Sequence, residues 1–309
     1  MRILLLNPNY INRHNWGHQL FKNELGKHHE VTYYGNGFDG YKKSLTVPQI
    51  IKKLNKPFDL ILTYEAKYSS FVKDLKLVKD IPKAHIQIDY SKATNKWNGA
   101  ARKENVERFL KENNYDIFFV TSTSNQSAFK ESLNTDMVFV LPFSVDIERY
   151  KNKNLKKNYD VMATFTTRPD VYPNRAEIQR VVKQMNIKTF TKRTIHNQYI
   201  DAINKSKIFI ISNNFNSRLS MKYTEAMACG TFVLADEPED LELQGFKNGE
   251  HLVLYKGIDD LKEKILYYLK NEKERIDIAK NGMSFVRKYH SCSKRCRQFT
   301  KIIKRELFK

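Results

Sequence analysis

The feature that most constrains this chain is an alternation. Short apolar runs, each closed by polar or turn residues, recur along it with helix-patterned segments between them. Arg2 to Leu6 is the first such run, closed by Asn7 and Pro8, which suits a buried parallel strand that ends in a loop. Further strand-like runs span Glu30 to Tyr34, Asp59 to Thr63, His85 to Asp89, Asp116 to Thr121 and Met137 to Leu141. Helical patterns such as Val47 to Leu54 and Ala101 to Lys111 lie between them. The alternation predicts βα units and a parallel sheet.

A second series begins after the lysine- and asparagine-rich stretch Tyr150 to Asn158, which reads as a linker. It comprises Asp160 to Phe165, Lys188 to Phe190, Ile208 to Ser212, Thr231 to Ala235 and His251 to Tyr255. A chain of 309 residues is comfortable for two ordinary domains. The expected division is an N-terminal half, 1–150, and a C-terminal half, 151–309. From Leu261 to Phe308 the pattern is almost wholly helical, with Lys262, Glu263 and Lys264 outward and Ile265, Leu266, Tyr268 and Leu269 on the buried stripe. The stretch from Arg287 to Lys309 is strongly basic.

With 54 Lys and Arg against 34 Asp and Glu, the formal charge is +20. Such a balance points to an anionic neighbour: a sugar nucleotide, a nucleic acid or an anionic membrane surface. A lysine-rich composition with solvated side chains everywhere accounts for it equally well. No run approaches the roughly eighteen apolar residues that span a bilayer, and the opening MRILLLNPNY turns polar too soon for a signal peptide. The expected seat is therefore the cytoplasm, with peripheral membrane contact as a variant. The three cysteines, Cys229, Cys292 and Cys296, support neither a disulfide framework nor a zinc site.

The densest information lies in Arg218-Leu-Ser-Met-Lys222-Tyr-Thr-Glu225-Ala-Met-Ala-Cys-Gly230, followed by the apolar run Thr231 to Ala235. Ser220 can cap a helix, and Gly230 can end it in a left-handed conformation. The amides and positive dipole at such a helix start favour phosphate, and in an open α/β sheet they face the ligand region beyond the strand ends. Arg218 and Lys222 are four apart, and Lys222 and Glu225 three apart, so within one helix they share a face. Two cations with a carboxylate one turn deeper suit a nucleoside diphosphate whose ribose reaches Glu225. The competing reading is an amphipathic helix with a solvated Arg, Lys and Glu face.

The segment Lys222-x-x-Glu225-Ala-Met-Ala-Cys-Gly230, with Phe232-Val-Leu after it, resembles the donor-binding motif of group 1 (family 4-like) glycosyltransferases of the GT-B fold. The CgeB-like spore-maturation branch is the most similar. The resemblance continues through Gly249 to Tyr255, Asp259 to Ile265, Leu269 to Arg275, Ile278-Ala279 and Tyr289 to Ser291. Weaker echoes are Tyr159-Asp-Val, Tyr172-Pro173-x-Arg175, Leu141 to Asp146 and the opening strand. It implies an α/β fold of two Rossmann-like domains facing across a cleft, with the acceptor on the N-terminal side and a UDP-linked sugar donor on the C-terminal side. It further implies hexosyl transfer with retention and no cofactor beyond the donor. Glu225 matches the glutamate that holds the donor ribose, and Arg218 and Lys222 fall where basic residues meet the diphosphate. Many relatives place a second glutamate eight residues earlier. Here that position is Ser217, and CgeB-like members often lack the glutamate too.

Three further residues are candidates. Asp89 ends a strand-like run, where a carboxylate could act on an acceptor hydroxyl or else cap a helix. Gly17, in Asn15-Trp16-Gly17-His18, could let the backbone approach a ligand or simply form a turn. Arg168 follows the first strand of the second half and suits phosphate or plain surface exposure. No Asp-x-Asp pair occurs, so the expectation is metal-independent transfer, with the leaving phosphate taking the acceptor proton. If the reaction inverts, Asp89 is the first candidate base. The alternatives are a glycosyltransferase acting on nucleic acid, as in phages that modify bases, one acting on a cell-surface polymer at an anionic membrane, and a non-catalytic nucleic-acid-binding protein. The last explains the charge but not the segment around Glu225, and no nucleic-acid-binding motif is evident.

Overall fold

The computed structural model describes residues 1–9, 16–66, 69, 71–88, 90, 103–168, 172–213 and 218–308. Two compact units form, one of Met1–Pro142 with Arg295–Lys309 and the other of Phe143–Lys294.

Unit 1 contains β1 (Arg2–Leu6), α1 (Trp16–His28), β2 (Glu30–Tyr34), α2 (Val47–Leu54), β3 (Leu60–Tyr64), β4 (Lys83–Gln87), α3 (Lys103–Asn113), β5 (Ile117–Val120), α4 (Thr123–Leu133) and β6 (Val138–Val140). Its strands pair in parallel in the order β2-β1-β3-β4-β5-β6. Ile3 to Leu6 are all buried, as a central strand covered on both faces requires.

Unit 2 contains β7 (Tyr159–Met162), α5 (Pro173–Gln184), β8 (Thr189–Phe190), α6 (His196–Asn204), β9 (Ser206–Ile211), α7 (Met221–Ala228), β10 (Phe232–Ala235), β11 (Val253–Leu254), α8 (Gly257–Lys270) and α9 (Glu272–Tyr289). Its parallel order is β11-β10-β9-β7-β8. In each unit the first strand lies between the second and the third. The direction of winding therefore reverses beside β1 in unit 1 and beside β7 in unit 2, where sheets of this kind bind ligands at the carboxyl ends of the strands.

The helical tail is divided among α8, α9 and a last helix, α10 (Cys292–Leu307). From Arg295 onward this helix belongs to unit 1, so the tail does not simply complete the second half, and the division falls at 142/143 rather than at 150. The cause is its apolar stripe. Phe299 packs against Phe21 of α1 (ring centroids 6.5 Å apart) and Phe119 of β5 (4.9 Å). Gln298 Nε2 donates to the Val140 carbonyl at 3.2 Å, and His29 Nε2 meets Thr300 Oγ1 at 2.7 Å.

The stretch after Tyr150 is not a loose linker. Tyr150 is buried, the Lys153 amide donates to Asn204 Oδ1 at 2.8 Å, and Lys157 Nζ reaches the Asn204 and Ser206 carbonyls at 2.8 and 2.9 Å. Leu266, expected on a buried stripe, is 57% exposed. The buried positions of α8 are Leu261, Ile265 and Tyr268. Among the described residues no helix is long and apolar enough to cross a membrane. All three cysteines are buried and none forms a disulfide.

Candidate functional site

The β9–α7 connection carries the centre of unit 2. β9 ends at Ile211, Ser212 and Asn213 follow, and Arg218 to Ser220 lead into α7. Ser220 occupies the N-cap position in extended conformation (φ −101°, ψ 165°), though its hydroxyl makes no capping bond. Gly230 ends the segment in the left-handed region (φ +69°), as its place in the sequence requires. Carboxylates beyond β10 fasten both sides of the connection. The Asn213 amide donates to Asp236 Oδ1 at 2.7 Å, and the Leu219 amide to Asp240 Oδ1 at 3.0 Å. Burial raises the Asp236 pKa to about 6 against the pull of the Asn213 amide, the Ser212 hydroxyl and Arg175.

Lys222, in the first turn of α7, reaches across to β7. Its Nζ donates to the Thr164 carbonyl at 2.6 Å and stands 5.9 Å from the centre of the Phe165 ring. Its pKa is lowered to about 8 in all, with burial the largest cause. Arg175 and Arg193 contribute to the fall and Glu225 opposes it. Arg175, near the start of α5, stacks on Tyr172 at 3.8 Å and donates from Nη2 to the Ser212 carbonyl at 2.8 Å. Arg175 Nε and Thr164 Oγ1 are buried with no hydrogen-bond partner among the described residues. A buried donor left in this state costs on the order of 1–3 kcal/mol. A ligand oxygen would relieve it.

Glu225, one turn deeper, is 8% exposed. Tyr199 donates to its Oε2 at 3.0 Å, and Tyr150 also bonds the carboxylate. Burial nevertheless raises its pKa, with the two hydroxyls and Lys222 acting in the other direction. Arg218 is 5% exposed. The solvated-face alternative therefore fails, because Arg218 and Glu225 are buried and Lys222 points to a backbone carbonyl.

The structure thus brings Lys222 together with Glu225 and adds Thr164, Arg175 and Asp236, which the sequence argument did not single out as site residues. Arg175 carried a signal, since it lies in the Tyr172-Pro173-x-Arg175 echo. Arg168 is half-buried in the stretch after β7. Gly17 lies in the first turn of α1 rather than in a loop or plain turn, because the helix begins at Trp16. Asp89 and Ser217 lie outside the described residues. Among the described residues no group of three or more His, Cys, Asp or Glu side chains is placed to hold a metal ion.

Residues 161–301 match the family described as "Glycosyl transferase-like", a span that runs from β7 into α10. No curated protein matches the sequence. Among solved structures, sucrose-phosphate synthase from Thermosynechococcus elongatus is similar over 100% of this chain and 99% of its own, at 14% identity and a TM-score of 0.69. HepE from Anabaena, in complex with UDP and glucose, is similar over 99% of this chain and 100% of its own, at 15% identity and a TM-score of 0.65. A glycosyltransferase from Rickettsia africae ESF-5 is similar over 99% and 98% at 14% identity, with a TM-score of 0.64. At these identities the likeness concerns the fold, which is the α/β GT-B class. With the family match it supports a glycosyltransferase of GT-B type.

Proposed function

We propose that the protein transfers a hexose from a nucleotide-linked donor, UDP-linked in the first instance, to a hydroxyl acceptor, as a member of the CgeB-like branch. The observation that carries this reading is the cation cluster at the reversal point of unit 2. Lys222 and Arg175 lie beside β7 and β9, with Arg175 Nε and Thr164 Oγ1 buried and unmatched. That arrangement suits the oxygens of a diphosphate. HepE bound to UDP-glucose supplies the parallel.

In this reading unit 2 takes the donor and unit 1 the acceptor. Lys222, Arg175, Arg218, Arg168 and the first amides of α7, which begins after Ser220, stabilise the charge that develops on the departing diphosphate. Glu225, set by Tyr199 and Tyr150, holds the ribose. The bond from the anomeric carbon to the diphosphate breaks, a bond to the acceptor oxygen forms on the same face, and the acceptor proton passes to the leaving phosphate. Inversion would instead call on Asp89 as base. Because side-chain cations and helix amides neutralise the leaving group, turnover should survive EDTA. Loss of turnover that manganese restores would refute that mechanism.

The test is calorimetry with UDP on the wild type and on Glu225→Gln. The wild type should bind. The variant exchanges one oxygen of the carboxylate that two hydroxyls bond for an amide and removes its charge, so it should cost about 1–2 kcal/mol in stability and tenfold to a hundredfold in affinity, about 1.5–3 kcal/mol. Failure of every common nucleoside diphosphate to bind the wild type at millimolar concentration removes the basis of the proposal. Unchanged affinity in a folded Glu225→Gln protein removes the ribose role alone.

A further inference from the structure

We propose that the outward face of α10 is a docking surface for a bilayer that carries anionic headgroups. The inward face fixes how the helix lies: Cys296, Phe299 and Ile303 are buried, and Phe299 is wedged against Phe21 and Phe119. Lys294, Arg297, Lys301 and Lys304 are all exposed on the opposite side. Their three-four-three spacing sets them in one line about 15 Å long at the helical rise. Lys294, Lys301 and Lys304 form no ion pair with a described residue. Between Arg287 and Lys309 the sequence has nine Lys and Arg and a single acid, Glu306, which Arg305 already engages. This concentration exceeds what the overall lysine-rich composition provides. His29, outside this helix, bonds to Thr300 of α10. Its pKa falls to about 4, through burial first and then through the Met1 amino terminus, His28 and Lys304.

The geometry favours a membrane over a nucleic acid. A straight line of cations on a helix packed lengthwise against its unit meets a planar array of headgroups all at once. Phe308, four residues beyond Lys304 and 42% exposed, stands where an aromatic ring can enter the interface. Single-stranded nucleic acid needs aromatic platforms along its path, and the line from Lys294 to Lys304 offers none at its exposed positions. Three of its four cations are lysines, point charges without the planar fork that reads base edges.

The test is cosedimentation of the full chain with phosphatidylcholine vesicles, with and without about one-third phosphatidylserine. Binding should require the anionic lipid and weaken as salt rises. Reversing Arg297, Lys301 and Lys304 to Glu should reduce partitioning by more than the roughly hundredfold expected for losing three cations at about fivefold each, with an unchanged melting temperature. Substituting the same three by Gln should give a smaller loss in the same direction, and this variant decides the matter if the Glu protein does not fold. A control that reverses exposed Lys183, Lys270 and Lys280 of unit 2 keeps the same net charge and should retain binding. Equal binding to neutral vesicles, equal loss in the control, or binding to duplex or single-stranded nucleic acid without vesicle binding would each overturn the assignment.

Discussion

Each unit places a lysine amine just past the carboxyl end of its first strand, fully buried in unit 1 and half-buried in unit 2, and the two lysines differ in their company. In unit 1, Lys22 of α1 donates to Asn7 Oδ1 at 2.5 Å and approaches the Pro8 carbonyl at 3.5 Å, beyond β1. Its pKa falls to about 7 through burial. Nearby, His85 is neutral through burial, with its ring between Thr63 Oγ1 at 2.6 Å and Gln87 Oε1 at 2.9 Å. In unit 2, Lys222 holds the Thr164 carbonyl beyond β7 within the field of Arg175 and Arg193. The same winding thus sets an amine against amide and carbonyl oxygens in one unit and beside two guanidinium groups in the other. Strand order locates a crevice, and the charge gathered there selects what enters it.

The largest expected effect tests whether the units are separable. Phe299→Ala should destabilise unit 1 by about 3–5 kcal/mol, the range for emptying a buried aromatic site. Calorimetric scanning should show one transition moving to lower temperature while UDP affinity, measured well below it, stays constant. A parallel loss of UDP binding would break the comparison. Next, Arg175→Met keeps contact with Tyr172 but removes the charge. It should weaken UDP by about 1.5–3 kcal/mol, whereas Lys22→Met should leave UDP affinity unchanged in isothermal titration.

The smallest effect separates the two amines by pH. Both are depressed, so each makes the fold more stable as pH rises from its folded value toward 10.5, where the unfolded chain also loses the proton. Only Lys222 should affect the ligand. UDP affinity should fall by about tenfold as pH rises through about 8, and Lys222→Gln should remove that dependence. A fall centred nearer 7 that disappears in Lys22→Met would assign the binding role to the wrong unit.

Much of the sheet architecture was readable because fully buried parallel strands are written as apolar runs. Arg2–Leu6, Glu30–Tyr34 and the helix Val47–Leu54 coincide with their expected limits, and most other runs differ by one to three residues at an end. The site was readable in part. The burial of Glu225 depends on Tyr199 and Tyr150, 26 and 75 residues away, and no local pattern encodes such partners. Asp236 follows the apolar run Phe232–Ala235 in a polar stretch and acquires its role from the fold, which brings the Asn213 amide to it. Amphipathicity showed that α10 would bury one face. It could not show which unit would receive that face.

That last placement bears on the order in which the protein matures on the ribosome. The seam between Phe21 and Phe119 is closed by Phe299, which is synthesised only after every residue of unit 2. At roughly 5–20 residues per second, the ribosome takes on the order of ten seconds to make the intervening unit. Throughout that interval the first-made unit lacks Phe299, whereas the second-made unit holds its entire chain as soon as Lys294 is added. The later unit is therefore the earlier one to be finished.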